Sequence, residues 1–100
     1  MKTYYIRYYR DFANTYDLCY CQTPEEEKEA ESAGFKRITR LDAFRKCANE
    51  KWARTHDKDF SGYGDIDIVP WRIMKWNSEN HDDPMLPEEQ GLHRNGYVWE

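Results

Sequence analysis

The chain has 100 residues, of which 39% are hydrophobic, 34% charged and 16% aromatic, and a net charge of −4. That length sets one domain over residues 1–100, and the aromatics, each able to bury roughly 150–250 Å², offset the modest apolar content. No apolar run approaches the ~18 residues of a membrane helix. The start, MKTYYIRYYRD, has no apolar core of a signal peptide, and an odd count of three cysteines points to reduced thiols and a cytoplasmic setting.

Residues 3–9 alternate, with Tyr4, Ile6 and Tyr8 on one side and Tyr5, Arg7 and Tyr9 on the other. After a polar bend, residues 15–21 alternate again, with Tyr16, Leu18 and Tyr20 opposite Asp17, Cys19 and Cys21. Two such runs predict a β-hairpin. Thr23-Pro24-Glu25-Glu26 then predicts a helix start: a capping hydroxyl, a proline at the first helical position and a glutamate three residues after the cap. Gly34 is its predicted end, and Phe35 to Ile38 a short strand or connector.

Thr39 opens a second predicted helix running to about Arg54, with Leu41, Phe44, Ala48 and Trp52 as its buried stripe. Residues 55–65 read as a loop and Ile66 to Val69 as a strand stopped by Pro70. Trp71, Ile73 and Trp76 extend that alternation into a further strand. Residues 77–91 are polar with two prolines and read as a long loop, and Asn95-Gly96 marks a turn before a final edge strand, Tyr97 to Trp99. The sum is an α+β domain: an N-terminal hairpin in a small antiparallel sheet packed against two helices, most simply on one face.

Charge is segregated along the chain. Residues 36–54 carry seven Lys and Arg against Asp42 and Glu50, a net +5. Residues 25–31 carry Glu25, Glu26, Glu27, Glu29 and Glu31 against Lys28, a net −4, and residues 79–100 carry a net −5. Such a bipolar field steers partners.

Three constellations could carry chemistry. Cys19 and Cys21 fall on one side of a strand, Cys47 lies 26 positions further, and with His56 they would make a tetrahedral Cys₃His zinc site. Against it, Cys19 and Cys21 point away from the hairpin side that should meet the helices, and Cys47 and His56 lie about 180° apart on an ideal helix. Asp57, Asp59, Ser61 and Gly62, followed by Asp65 and Asp67, resemble the start of a calcium loop, yet position 12 is Ile68 where a bidentate glutamate is needed. Tyr4, Tyr5, Arg7, Tyr8, Tyr9 and Arg10 mix aromatic and basic groups as single-strand binders do, while the acidic total argues against nucleic acid. The three histidines stand in no nucleophile motif, and GYG at 62–64 has no phosphate-loop context.

Three blocks, YYIRYYRDFANTYDL, GFKRITRLDAFRKCANEKWAR and FSGYGDIDIVPW, together resemble small proteins carried by bacteriophages and mobile elements, among them many anti-CRISPR proteins. The resemblance covers about half of the chain and carries over no individual functional residue. It implies a non-enzymatic viral inhibitor, acting in the cytoplasm of a host bacterium, that binds an effector such as an RNA-guided nuclease and occludes its nucleic-acid or domain-docking surface. Glu25, Glu26, Glu27, Glu29 and Glu31, with Tyr5, Arg7 and Tyr9, are the expected partner-binding residues. The alternative is a zinc-stabilised nucleic-acid-binding module using the basic helix 40–54.

Overall fold

Two alternating strands build the centre of the molecule. The computed structural model describes residues 1–10, 15–56 and 67–100. Strand β1 (Thr3–Tyr8) pairs antiparallel with β2 (Tyr16–Cys21), Ile6 opposite Leu18 and Tyr5 opposite Cys19. Helix α1 (Pro24–Ser32) follows, then β3 (Lys36–Ile38), which pairs antiparallel with β1. Helix α2 (Arg40–His56) leads to β4 (Val69–Pro70), which runs parallel to β2. The sheet order is β3-β1-β2-β4, and Pro70, which cannot donate to a ladder, sits in the edge strand.

Helix α3 (Trp71–Glu79) starts directly after Pro70. A 3-10 turn (Glu88–Gln90) then precedes the hairpin of β5 (Arg94–Asn95) and β6 (Val98–Trp99). Gly96 has φ +64° in the two-residue connection, the sign that such tight loops ask of a central residue. Ile68 joins this hairpin to the main sheet: its N–H donates to the Tyr97 carbonyl at 2.7 Å and its carbonyl accepts from the Trp99 N–H at 2.9 Å.

The start of α1 follows its sequence signals. The Thr23 hydroxyl accepts from the Glu26 N–H at 3.2 Å, and the Glu26 carboxylate reaches back to the Gln22 N–H at 2.8 Å. At the other end Gly34 takes φ +94°, Phe35 N–H bonds the Ala30 carbonyl and Gly34 N–H the Glu31 carbonyl. That is the Schellman pattern, with the left-handed residue supplied by glycine. Replacing Thr23 by Ala should cost about 1 kcal/mol in denaturant unfolding, the usual worth of a cap. An unchanged midpoint would mean that the hydroxyl is dispensable.

Two expectations are corrected. Residues 71–76 form a helix, not a strand. Trp71, Ile73 and Met74 are buried on one side while Arg72 and Trp76 face out. The helices also cover both sides of the sheet. Tyr4, Ile6, Tyr16, Leu18 and Tyr20 pack against Ala43 and Cys47 of α2. Tyr5, Cys19 and Cys21 pack against Ala30 of α1 and Trp71, Ile73 and Met74 of α3. Both sides of β1 and β2 are thus apolar, and each needs its own cover.

The buried side of α2 differs as well. Ala43, Cys47 and Glu50 face the sheet; Phe44 and Ala48 are half-buried, and Leu41 and Trp52 face out. The sheet contributes bulky tyrosines on this side, so small residues let the helix approach. Tyr16 fills the space and its hydroxyl donates to the Lys46 carbonyl. Phe44 packs edge-on to Tyr4 and Tyr97, at 6.2 and 6.3 Å.

Candidate binding surfaces

The cysteines sit in two separate places. Cys19 and Cys21 are neighbours on the α1/α3 side. Cys47 lies on the α2 side. The sheet stands between them because Cys19 and Cys21 alternate with Leu18 and Tyr20, which hold the side that meets α2. His56 is on the outside of α2, stacked on Trp52 with centroids 4.9 Å apart, its Nδ1 3.0 Å from the Trp52 carbonyl. The four expected zinc ligands therefore do not converge, and among the described residues no cluster of three or more His, Cys, Asp or Glu could hold a metal ion. Burial pushes the Cys19 thiol well up and the Cys47 thiol up to about 12, so both are held in the unreactive protonated form.

Asp57, Asp59 and Asp65 of the calcium-like loop lie outside the described residues. Asp67, at its end, is committed inside the fold. It accepts from Arg94 at 3.0 Å and from the Trp99 indole at 3.2 Å, and Lys51 stands 3.3 Å away. Burial raises its carboxyl above the usual value, partly offset by the Trp99 hydrogen bond.

The aromatic and basic side of β1 is not an open surface. Tyr5, expected to face a partner, is 1% exposed, because α1 and α3 cover this side of the sheet. Its hydroxyl donates to Glu31 at 2.9 Å, and burial first, then that hydrogen bond, raises its pKa. Arg7 lies over the Phe35 ring at 4.5 Å and donates to the Ala33 carbonyl and the Ser78 hydroxyl. Tyr9 donates to the buried Asp17 at 2.8 Å, with Arg7 3.8 Å from the same carboxylate. These residues join the layers together.

The glutamates of α1 lie around the helix, and four of them are held by partners within the chain. Glu26 is bonded to the Gln22 N–H, Glu27 accepts from the Thr3 hydroxyl at 2.9 Å, Glu31 accepts from Tyr5, and Glu29 pairs with Lys75 of α3. Lys75 holds the Glu29 carboxyl below its ordinary range, and Glu29 raises Lys75 in turn. Glu25 is exposed at the start of the helix. Between α1 and α3 runs a groove of about 640 Å³, lined by Arg7, Lys28, Glu29, Trp71, Lys75 and Glu79 among others. Glu29 and Lys75 pair across it.

The opposite side of the molecule is basic. Helix α2 carries Arg40, Arg45, Lys46, Lys51 and Arg54 against Asp42 and Glu50, a net +3, and Glu50 is buried and paired with Arg54 at 3.3 Å. Arg40 lies over Phe44 and Lys51 over Tyr97. Basic α2 and acidic α1 thus lie on opposite sides of the sheet. No helix among the described residues is long and apolar enough to cross a membrane.

Comparison with protein-family models, with curated proteins and with solved structures finds no match for this chain.

Proposed function

We propose that this chain is a non-catalytic inhibitor of the anti-CRISPR type, which presents the acidic helix α1 to a basic, nucleic-acid-handling surface of a host effector such as an RNA-guided nuclease. The observation that carries the reading is the density of carboxylates on this one short helix. Glu26, Glu27, Glu29 and Glu31 are each held by a donor from another part of the chain or from the helix cap. Carboxylates fixed before binding lose little entropy when a partner's cations reach them. A basic channel that holds a heteroduplex through its backbone can meet carboxylates in place of phosphates. The alternative zinc-stabilised module is weakened by the sheet between Cys19/Cys21 and Cys47, and the cations of α2 are what remain in its favour.

The test replaces Glu25, Glu26, Glu27, Glu29 and Glu31 by Gln, which keeps acceptor oxygens for Thr3, Tyr5 and the Gln22 N–H. With a purified nuclease effector, the parent should block target cleavage. The variant should associate about tenfold or more slowly at low salt, with dissociation changed far less. A parent that leaves cleavage untouched while binding DNA or RNA tightly would remove this reading.

A further inference from the structure

The four-stranded sheet ends in two unlike edges. On the β4 side Pro70 removes a backbone donor, and the neighbouring Ile68 is already bonded to Tyr97 and Trp99. On the β3 side the ladder stays open. Lys36, Arg37 and Ile38 pair with β1 on one flank, and among the described residues no strand stands on the other. Successive residues of a strand turn their N–H and C=O to opposite flanks, so β3 directs part of its ladder groups away from β1. Among the described residues none of the three has a further hydrogen bond or an ion pair.

The side chains along this edge are positive and without counter-ions. Lys36 and Arg37 are exposed. Arg40, at the start of α2, lies 4.5 Å over the Phe44 ring, a contact that does not neutralise it. Beside the edge runs a groove of about 690 Å³, lined by Tyr4, Arg37, Ile38, Arg40 and Asp42 among others. Asp42 is its one carboxylate, against Arg37, Arg40 and Lys2, and Lys2 pairs with Glu100. Ile38, half-buried against the core under α2, gives the groove an apolar wall.

Charge and hydrogen bonding choose the occupant. The β3 edge of a second copy would set Lys36 and Arg37 against the same two residues, and like charges directly opposite are destabilising. Cations on an edge keep like edges apart in this way. A nucleic acid offers phosphate oxygens, which accept from N–H groups and cations but have no proton to donate to the outward carbonyls. An extended acidic segment of another protein supplies both a donor and an acceptor to the open ladder, and counter-charge to Lys36 and Arg37. We infer that β3 takes up such a segment as an added strand, with Asp or Glu opposite Lys36 and Arg37 and an aliphatic residue opposite Ile38. This does not rest on what the acidic helix α1 meets.

Its test therefore needs no effector. Fluorescein-labelled peptides of about eight residues, built from Val and Thr with either adjacent Glu or adjacent Lys at the centre, are titrated with the full chain and followed by anisotropy. The Glu peptide should bind about tenfold or more tightly than the Lys peptide, and more weakly as salt rises. Lys36→Ala with Arg37→Ala should weaken it about tenfold, and Lys36→Glu with Arg37→Glu should reverse the preference. Arg72→Ala, at an exposed cation of α3, should leave it unchanged. Lys36 and Arg37 are exposed, so thermal melts of their variants should overlay the parent. The backbone is tested separately, with Glu peptides N-methylated at one or the other set of alternate residues. One should bind and the other should not, because only one flank of an added strand faces β3. Amide exchange of β3 should slow in the complex. Equal or absent binding of the Glu and Lys peptides, or equal binding or equal loss in the two methylated ones, overturns the proposal. A single-stranded oligothymidylate that binds more tightly than the Glu peptide and slows the same amides gives the edge to nucleic acid instead. A dimer of the free chain with those amides protected gives it to self-association.

Discussion

Replacing Leu18 by Ala should destabilise the domain by about 2–5 kcal/mol, and the same change at Leu41 by less than about 0.5 kcal/mol. Leu18 is fully buried at the middle of β2, opposite Ile6 and among Tyr4, Tyr16, Tyr20 and Cys47. Its removal leaves a cavity that the paired strands on either side cannot close by collapse. Leu41 already spends its time in water, so the folded and unfolded chains treat its side chain alike. Phe44→Ala belongs between the two, since its ring is half-buried and meets Tyr4 and Tyr97 by its edges. Urea unfolding of the three variants measures the order directly. A Leu41 cost equal to that of Leu18 would mean that α2 faces the sheet through the stripe its periodicity marks.

Alkaline pH should unfold the chain cooperatively. Burial raises the thiols of Cys19 and Cys47 and the phenols of Tyr5, Tyr16 and Tyr20, with Cys47 and Tyr20 each pushed up to about 12. All five are neutral when protonated, and the folded chain holds the proton more tightly than the unfolded one. Their contribution is therefore complete below the unfolded values, 9.0 for the thiols and 10.0 for the phenols. It is lost as pH rises from there through the folded values. Each group withdraws about 1.4 kcal/mol per pH unit above its unfolded pKa. One to two units past pH 9.0, five such groups together approach the ~5–15 kcal/mol that holds a domain of this kind. Far-ultraviolet circular dichroism and tyrosinate absorbance, followed from neutral pH upward, should show the buried phenols ionising in the same step that dissolves the sheet. Full ionisation of the tyrosines with the dichroism unchanged would contradict the burial on which the expectation rests.

Local signals were legible where a few adjacent residues decide the outcome. Alternation in Tyr4–Ile6 and Tyr16–Leu18–Tyr20 names one buried side of the hairpin, because a strand sends every second residue the same way. Thr23, Pro24 and Glu26 name a helix start and Gly34 its end, because orphan backbone groups need caps there. Asn95-Gly96 names the last turn. Such adjacent signals define the hairpin, the first two helices, the terminal turn and the separation of acidic from basic segments. Packing between distant segments sets the rest. Trp71 to Trp76 alternates as a strand does, but as a helix it buries Trp71, Ile73 and Met74 together against Cys19 and Cys21 of the sheet. Cys19, Cys21 and Tyr5 look like the outer side of a sheet covered once, until α1 and α3 cover the second side. Leu41 and Trp52 satisfy helical periodicity as well as Ala43 and Cys47 do. The choice between the two stripes rests on which one fits beneath bulky tyrosines from strands far away in sequence, a matter of packed volume that no periodicity records.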